Sequence, residues 1–204
     1  MSQEDKIKQA AELIKNSGYI VAFTGAGISV ESGIPDFRSP GGLWEKYNPN
    51  EYATYSIFLT HPEKYWTMHM ELREMVKEAQ PNPAHNALAT LEHEYCKLKS
   101  VITQNVDFLH SRAGNTKVLE IHGSIQTSRC LSCDKTFYFT EIEEMLDQGH
   151  IPPRCPQCIG LIKTNTILFG EQLPYDVLER SREEIIAADL LIVIGSSLTV
   201  YPAA

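Results

Sequence analysis

The chain has 204 residues, of which 43% are hydrophobic and 22% charged, and a formal net charge of −8. A chain of this size buries roughly 70% of its unfolded surface, so its core does not depend on disulfides, and its length suits one domain or one domain with a small insert. Since no run of lysines or arginines stands out, broad binding to nucleic acid or to anionic membrane is disfavoured.

The N-terminal segment MSQEDKIKQAAELIKN is charged and lacks an apolar h-region and a small-residue cleavage site, so it is not a secretory signal. Residues 4–16 instead predict a helix with Ile7, Ala10, Ala11 and Ile14 on one face, stopped by Gly18. No apolar run approaches the roughly 18 residues that a membrane span requires. The expected compartment is the cytoplasm, and the five cysteines are expected as thiols or metal ligands rather than disulfides.

The β-branched and aromatic run at 19–24 predicts a buried strand. Residues 25–58 form a long Gly- and Pro-rich stretch with embedded apolar residues, the pattern of a functional loop. A helix follows from Pro62, with Thr60 and Glu63 expected as a capping box and Tyr65, Met68, Leu72, Met75, Val76 and Ala79 as its apolar face. Asn82-Pro83 opens another helix through about Cys96, a residue expected as buried filler. Strands are expected at LKSVITQ and TKVLEIH, extended chain at LIKTNTILFG, a helix at 175–187 and a final buried strand at ADLLIVIG. Strands alternating with helices predict βαβ units, hence an α/β fold with a Rossmann-like parallel sheet and helices on both faces. The chain ends just after a strand and its glycine turn, where a doubly wound sheet usually continues, so the sequence reads as cut short.

Cys130-x2-Cys133 and Cys155-x2-Cys158 are separated by 21 residues. Two such knuckles supply four thiolates for one tetrahedral Zn²⁺. With no open coordination position the zinc would be structural, contributing roughly 10–16 kcal/mol to a module with little core of its own. Unrelated turns or a redox dithiol are the competing readings. The unit's mixed charges, with Asp134 and Lys135 beside Glu141, Glu143, Glu144 and Asp147, disfavour a phosphate-binding face.

GAGIS (Gly25, Ala26, Gly27, Ile28, Ser29) follows the first strand, which places backbone N–H groups toward a phosphate. Alone this is weak, since turns use glycine for sterics, and Val30 stands where a dinucleotide fingerprint needs its third glycine. TQNVD (with Gln104, Asn105, Val106 and Asp107), His122 and GSS (Gly195, Ser196, Ser197) follow three other strands. The carboxyl ends of parallel strands converge on one crevice where ligands bind, so these segments are expected to line one site. Individually each has a plain reading, as a satisfied histidine or ordinary turn residues.

GAGIS…SGIPDFRS…GLW, TQNVDFLH, HGS, the paired C-x-x-C knuckles, FGE and GSSLTVYPAA together resemble the sirtuins, NAD-dependent protein-lysine deacylases. The resemblance covers essentially the whole chain. It implies a Rossmann-like NAD-binding domain over 1–128 and 160–204 with a helical insert at about 48–96, a zinc-ribbon module over 129–159, and an acetyl-lysine protein or peptide bound between them. By resemblance His122 is the general base acting on a ribose hydroxyl. Asn105 and Asp107 would orient ribose, carboxamide and a water. Pro35, Asp36, Phe37, Arg38 and Trp44 belong to the cofactor loop, with Phe37 shielding the reacting carbon and Arg38 over the phosphates. Leu168, Phe169, Gly170 and Glu171 would pair with the substrate backbone. The family's final segment, which completes the sheet and holds the adenosine end of NAD, is missing from the sequence.

Two further departures stand out. Phe108 replaces a common glycine, either narrowing the site or simply packing, and Thr164-Asn165-Thr166 replaces a proline and apolar residues. His69 and Leu72 occupy the positions judged to match the Tyr and Arg of the desuccinylase branch, with Arg73 out of register, which favours deacetylation. The alternatives are removal of other acyl groups, mono-ADP-ribosyl transfer, a dehydrogenase disfavoured by the missing glycine, and a non-enzymatic docking module on a degenerate cofactor fold. Direct nucleic-acid binding is not expected, and a nucleic-acid-binding protein is compatible with the reading as a substrate.

Overall fold

The predicted strands wind into a parallel sheet in the computed structural model, which describes residues 1–203; Ala204, the last residue of GSSLTVYPAA, lies outside the described residues. Ser2 and Asp5 each accept the other's backbone N–H and start α1 (Gln3–Asn16). Of its apolar stripe, Ile14 packs against the core while Ile7 is 62% exposed. All five residues of β1 (Ile20–Thr24) are buried. The long Gly- and Pro-rich stretch that follows is broken into a 3₁₀ segment (Ala26–Ser32) and three short helices, α2 (Leu43–Lys46), α3 (Pro49–Tyr52) and α4 (Tyr55–Thr60).

α5 (Pro62–Glu78) starts without the expected capping box. Thr60 is claimed by α4, where its hydroxyl donates back to the Ser56 carbonyl at 3.1 Å, and His61 takes the N-cap position with no side-chain bond. α6 (Pro83–His93) is capped by Asn82, whose Nδ2 also donates to the Ile28 carbonyl at 2.7 Å and so ties the 3₁₀ segment down. The helix ends before Cys96, which is exposed rather than buried filler. β2 (Leu98–Thr103), α7 (Leu109–Ala113) and β3 (Val118–Glu120) complete the first half.

After the cysteine region, α9 (Tyr175–Ala187) and β7 (Leu190–Ile194) return to the main sheet, whose order is β3-β2-β1-β7. All its pairings are parallel, and Thr24 sits opposite both Thr103 and Ile194 at the carboxyl ends. Alternation along β1 sends Ile20 and Ala22 to a face covered by Leu88 of α6, and Val21 and Phe23 to a face covered by Val177 and Leu178 of α9. β7 is not the fully buried strand the sequence predicts. It lies at the sheet edge, and while Leu190, Ile192 and Ile194 face the core, Leu191 and Val193 are 41% and 40% exposed.

β4 (Thr127–Cys130), β5 (Thr136–Tyr138) and β6 (Ile162–Thr164) form an antiparallel sheet, order β5-β4-β6, carrying α8 (Phe139–Asp147). One aromatic cluster joins this sheet to the helices after β1: Phe58, Tyr65 and Trp66 pack with Phe137, Ile142, Leu146, Ile162, Cys130 and Cys155. At its edge the buried Arg73 of α5 reaches Glu143 and Asp147 of α8 at 3.2 and 2.6 Å. Removing one partner from such a desolvated group strands the other charge. Beyond β6 the chain is extended but unpaired as a ladder. The Asn165 N–H donates to the Thr127 carbonyl, the Ile167 N–H to the His122 carbonyl, and Phe169 bridges to Thr54. Thr164 and Thr166 stand where apolar residues were expected because their hydroxyls meet Tyr65 Oη at 2.5 and 3.3 Å.

Trp66 is fully buried at the centre of that cluster. Trp66→Ala is expected to cost about 3–5 kcal/mol in urea unfolding.

Candidate functional site

The turns after β1 and β7 are locked together by backbone bonds, from the Gly25 N–H to the Ile194 carbonyl (3.0 Å) and from the Gly27 N–H to the Gly195 carbonyl (2.9 Å). No side chain fits between them. A Cβ on Gly25 would stand 2.8 Å from the Gly195 carbonyl oxygen, and one on Gly195, at φ +63°, would stand 2.2 Å from the Ile28 nitrogen. Val30 is exposed and takes no part in this contact, which explains why no third glycine is needed.

Beneath the turns, buried polar side chains form a chain of hydrogen bonds. Asn105 Nδ2 donates to Ser29 Oγ at 3.0 Å, and Ser29 Oγ donates to Asp107 Oδ2 at 2.7 Å. The other Asp107 oxygen caps α7 by accepting the Leu109 N–H at 3.0 Å. The Asn105 N–H donates to Thr103 Oγ1, which in turn accepts from Thr24 Oγ1 at 2.8 Å. Thr24 also meets His110 Nε2 at 2.9 Å, and burial with the neighbouring His85 pushes the His110 pKa down to about 3. Thr24, Thr103 and His110 are not among the expected site residues, although Thr103 and His110 bound the TQNVDFLH motif; the signal is a threonine closing each of two strands. Val106 and Phe108 lie in an apolar cluster with Leu109 and Ile125. Phe108, left-handed at φ +48°, resolves to packing, with its ring 6.1 Å from Phe139 and under Arg112.

His122 Nδ1 lies 3.0 Å from the Gln104 carbonyl. A carbonyl only accepts, so Nδ1 carries the proton and Nε2 keeps its lone pair. Burial, aided by the Arg38 charge, holds the His122 pKa below its usual 6.5, so the ring is neutral near pH 7. Gln104 also accepts from Ser196 Oγ at 3.3 Å, joining His122 to the Gly195–Ser197 turn, while its Nε2 is buried without a partner among the described residues. Ser197 turns aside to Thr199 at 2.8 Å. Glu120, two residues before His122, is a site group the sequence did not reveal. Burial, with Asp107 nearby, raises its pKa to about 7.

The loop above is self-braced. Asp36 accepts the N–H groups of Arg38 and Ser39 at 3.0 and 2.8 Å, leaving Arg38 exposed beyond Pro35. The Phe37 and Trp44 rings lie 4.9 Å apart, tilted by 36°, and Trp44 lies 6.4 Å from Phe169. Leu168 is buried, Phe169 is half exposed, and Gly170 turns the chain at φ +90°. His69 is buried between Tyr65 and Trp66, and Arg73 is spent on Glu143 and Asp147. Neither residue offers a free cation to an acyl carboxylate.

The four cysteine sulfurs lie within 4.8 Å of one another, with Cys130–Cys158 at 3.4 Å and Cys133–Cys155 at 3.8 Å. Tetrahedral Zn–S bonds of about 2.3 Å place sulfurs about 3.8 Å apart, so the set fits one structural zinc. The glycine-only cradle and the unpartnered Gln104 Nε2 fit a nucleotide in the same way.

The Sir2 family model matches residues 25–202. An NAD-dependent protein deacylase 2 of Archaeoglobus fulgidus is 48% identical over 202 residues, covering 98% of this chain and 79% of the relative. An NAD-dependent protein deacetylase of Thermodesulfovibrio yellowstonii is 46% identical over 204 residues, covering 100% and 79%. Among solved structures, a Sir2 variant with deacetylated p53 peptide and 3′-O-acetyl ADP-ribose superposes with a TM-score of 0.91 at 41% identity, covering 97% of this chain and 79% of that one. A Sir2 enzyme bound to a propionylated peptide gives 0.87 at 40% identity, covering 97% and 78%. The chain therefore belongs to the Sir2 family, the sirtuins.

Chelating the zinc is expected to release the amides of β4, β5 and α8 to rapid hydrogen exchange while β1 and β2 stay protected; unchanged protection of α8 would speak against a metal-held module.

Proposed function

We propose that the chain is an NAD-dependent protein-lysine deacetylase, producing nicotinamide, O-acetyl-ADP-ribose and free lysine. The observation that carries this reading is the convergence of Ser29, Asn105, Asp107 and His122 beside a cradle that only glycines can form. When bound, NAD supplies the ribose carbon to which the acyl oxygen is transferred as nicotinamide leaves.

Gly25–Ser29 and Gly195–Ser197 hold the phosphates through backbone N–H groups other than those of Gly25, Gly27 and Ile28, which are already bonded to the Ile194, Gly195 and Gly25 carbonyls. Gln104 contributes its unpartnered Nε2 as a donor. Asn105 and Asp107, fixed by Ser29 and by the α7 cap, orient the ribose and carboxamide. Pro35–Arg38 and Trp44 close over the reacting carbon and exclude water, with the Phe37 ring as the shield. His122 takes the ribose proton at Nε2, the nitrogen left free by the Gln104 carbonyl.

Leu168–Glu171 receive the acetyl-lysine peptide along its main chain. The Rossmann-like unit spans 1–128 and 160–204, with the helical insert at about 48–96 and the zinc-ribbon module over 129–159. Acetyl is favoured over acidic acyl groups because His69 is neutral, with a pKa pushed down to about 4 by burial, and Arg73 is already paired. Among the described residues no helix is long and apolar enough to cross a membrane, and we place the enzyme in the cytoplasm.

The test is acetyl-lysine peptide deacetylation coupled to nicotinamide release. His122→Ala should reduce the rate about 10²–10⁴-fold. Protonating His122 removes the base, so the parent's rate should hold near pH 7 and fall as pH drops below 6.5, the ordinary value beneath which its pKa is held. Labelled ADP-ribose appearing on protein without loss of acetyl would favour mono-ADP-ribosyl transfer instead.

A further inference from the structure

We infer that Lys163 is a positioning residue for the acyl-peptide strand, acting through Glu171 to fix the main chain of Leu168. This rests on the reading of Leu168–Glu171 as the peptide-docking segment. Lys163, in β6, is the one lysine buried among the described residues, at 3% exposure. Burying an ammonium carries a large desolvation cost unless every donor finds a partner.

All three Nζ donors are used. They reach Glu171 Oε2 at 2.9 Å, the Thr166 carbonyl at 2.6 Å and the Thr164 carbonyl at 3.1 Å. The same Glu171 oxygen accepts the Leu168 N–H at 2.8 Å. The ammonium thus closes the segment 164–171 into a ring, with one carboxylate oxygen shared between the cation and the backbone. The ring's outward corner is Phe169, whose N–H donates to the Ala53 carbonyl (2.9 Å) and whose carbonyl accepts the Tyr55 N–H (3.0 Å). Leu168 and Phe169 thus have both backbone groups bonded within the protein, and among the described backbone bonds Gly170 and the Glu171 carbonyl are left to a substrate strand; a peptide that pairs with them gains affinity when the backbone around them is already ordered.

Lys163 makes no contact with the turns at Gly25 and Gly195 among the interactions described above. Its loss should therefore fall on the peptide and spare the cofactor. Without the cation, Glu171 is left as a nearly buried, unpaired carboxylate that turns toward water and drops the Leu168 N–H.

The experiment measures KM for an acetyl-lysine peptide and for NAD, with kcat, in the full chain and in Lys163→Met, Lys163→Arg and Glu171→Gln. Hydrogen exchange at the Leu168 amide is followed in the same proteins. The expected result for Lys163→Met is a peptide KM raised about tenfold or more, an NAD KM within about twofold, and faster exchange at Leu168. Lys163→Arg should restore the peptide KM, and Glu171→Gln should raise it severalfold. A peptide KM unchanged in Lys163→Met, or peptide and NAD KM rising together, overturns the proposal. Should Lys163→Met not fold, an unaltered peptide KM and unaltered Leu168 exchange in Glu171→Gln overturn it equally. A parent chain that deacetylates nothing refutes the functional reading instead, and the exchange measurement then decides the positioning role alone.

Discussion

The contact between the β1 and β7 turns is the constraint on which the rest of the site depends. Two parallel strands end side by side, and their turns can bond backbone to backbone only because Gly25, Gly27 and Gly195 carry no Cβ. That contact uses the Gly25 and Gly27 N–H groups themselves and holds the two turns side by side. It also fixes Ile28 and Ser29, and Ser29 is the hub through which Asn105 and Asp107 are held. The polar chain continues inward through Thr103 and Thr24 to His110, so the site floor is braced by the buried ends of two central strands. Preorganised donors and acceptors of this kind lose little when a substrate arrives.

The second unit acts on this cradle from above. Its antiparallel sheet has only three strands and shares its core with the helices that follow β1, through Phe58, Tyr65 and Trp66. Cys130 and Cys155 lie in that core while Cys133 and Cys158 are exposed, so metal and aromatic packing hold one structure jointly. Trp44 packs at a tilt against Phe37 of the cofactor loop and approaches Phe169 of the proposed peptide segment, while His122 and Ile167 share a backbone bond. Cofactor loop, base and peptide segment are thus connected by contacts that span both units.

The main sheet was legible because β1 is an apolar run between Gly18 and Gly25, β7 is an apolar run ending at Gly195 and strands alternate with helices, and helix α9 because its amphipathic pattern is uninterrupted. The zinc ligands and the strand-end residues were legible through spacing and convergence. What escaped the sequence were features set by competition between neighbours. Thr60 carries a capping signal for α5 but is taken by α4. β7 reads as a buried strand because every residue is apolar, yet pattern cannot say which face a neighbour covers. Phe108 reads equally well as a gate or as packing, and only its ring's position against Phe139 decides. Lys163 and Glu120 look like ordinary surface charges in sequence, since burial comes from chain segments far away.

Calorimetric titration of NAD into the parent chain and Gly195→Ala tests the steric constraint most directly. A methyl group here must displace the Ile28 backbone, so NAD affinity is expected to fall at least about tenfold, which corresponds to about 1.4 kcal/mol, with zinc content unchanged. Equal NAD affinity in a folded, zinc-loaded Gly195→Ala protein would contradict the cradle.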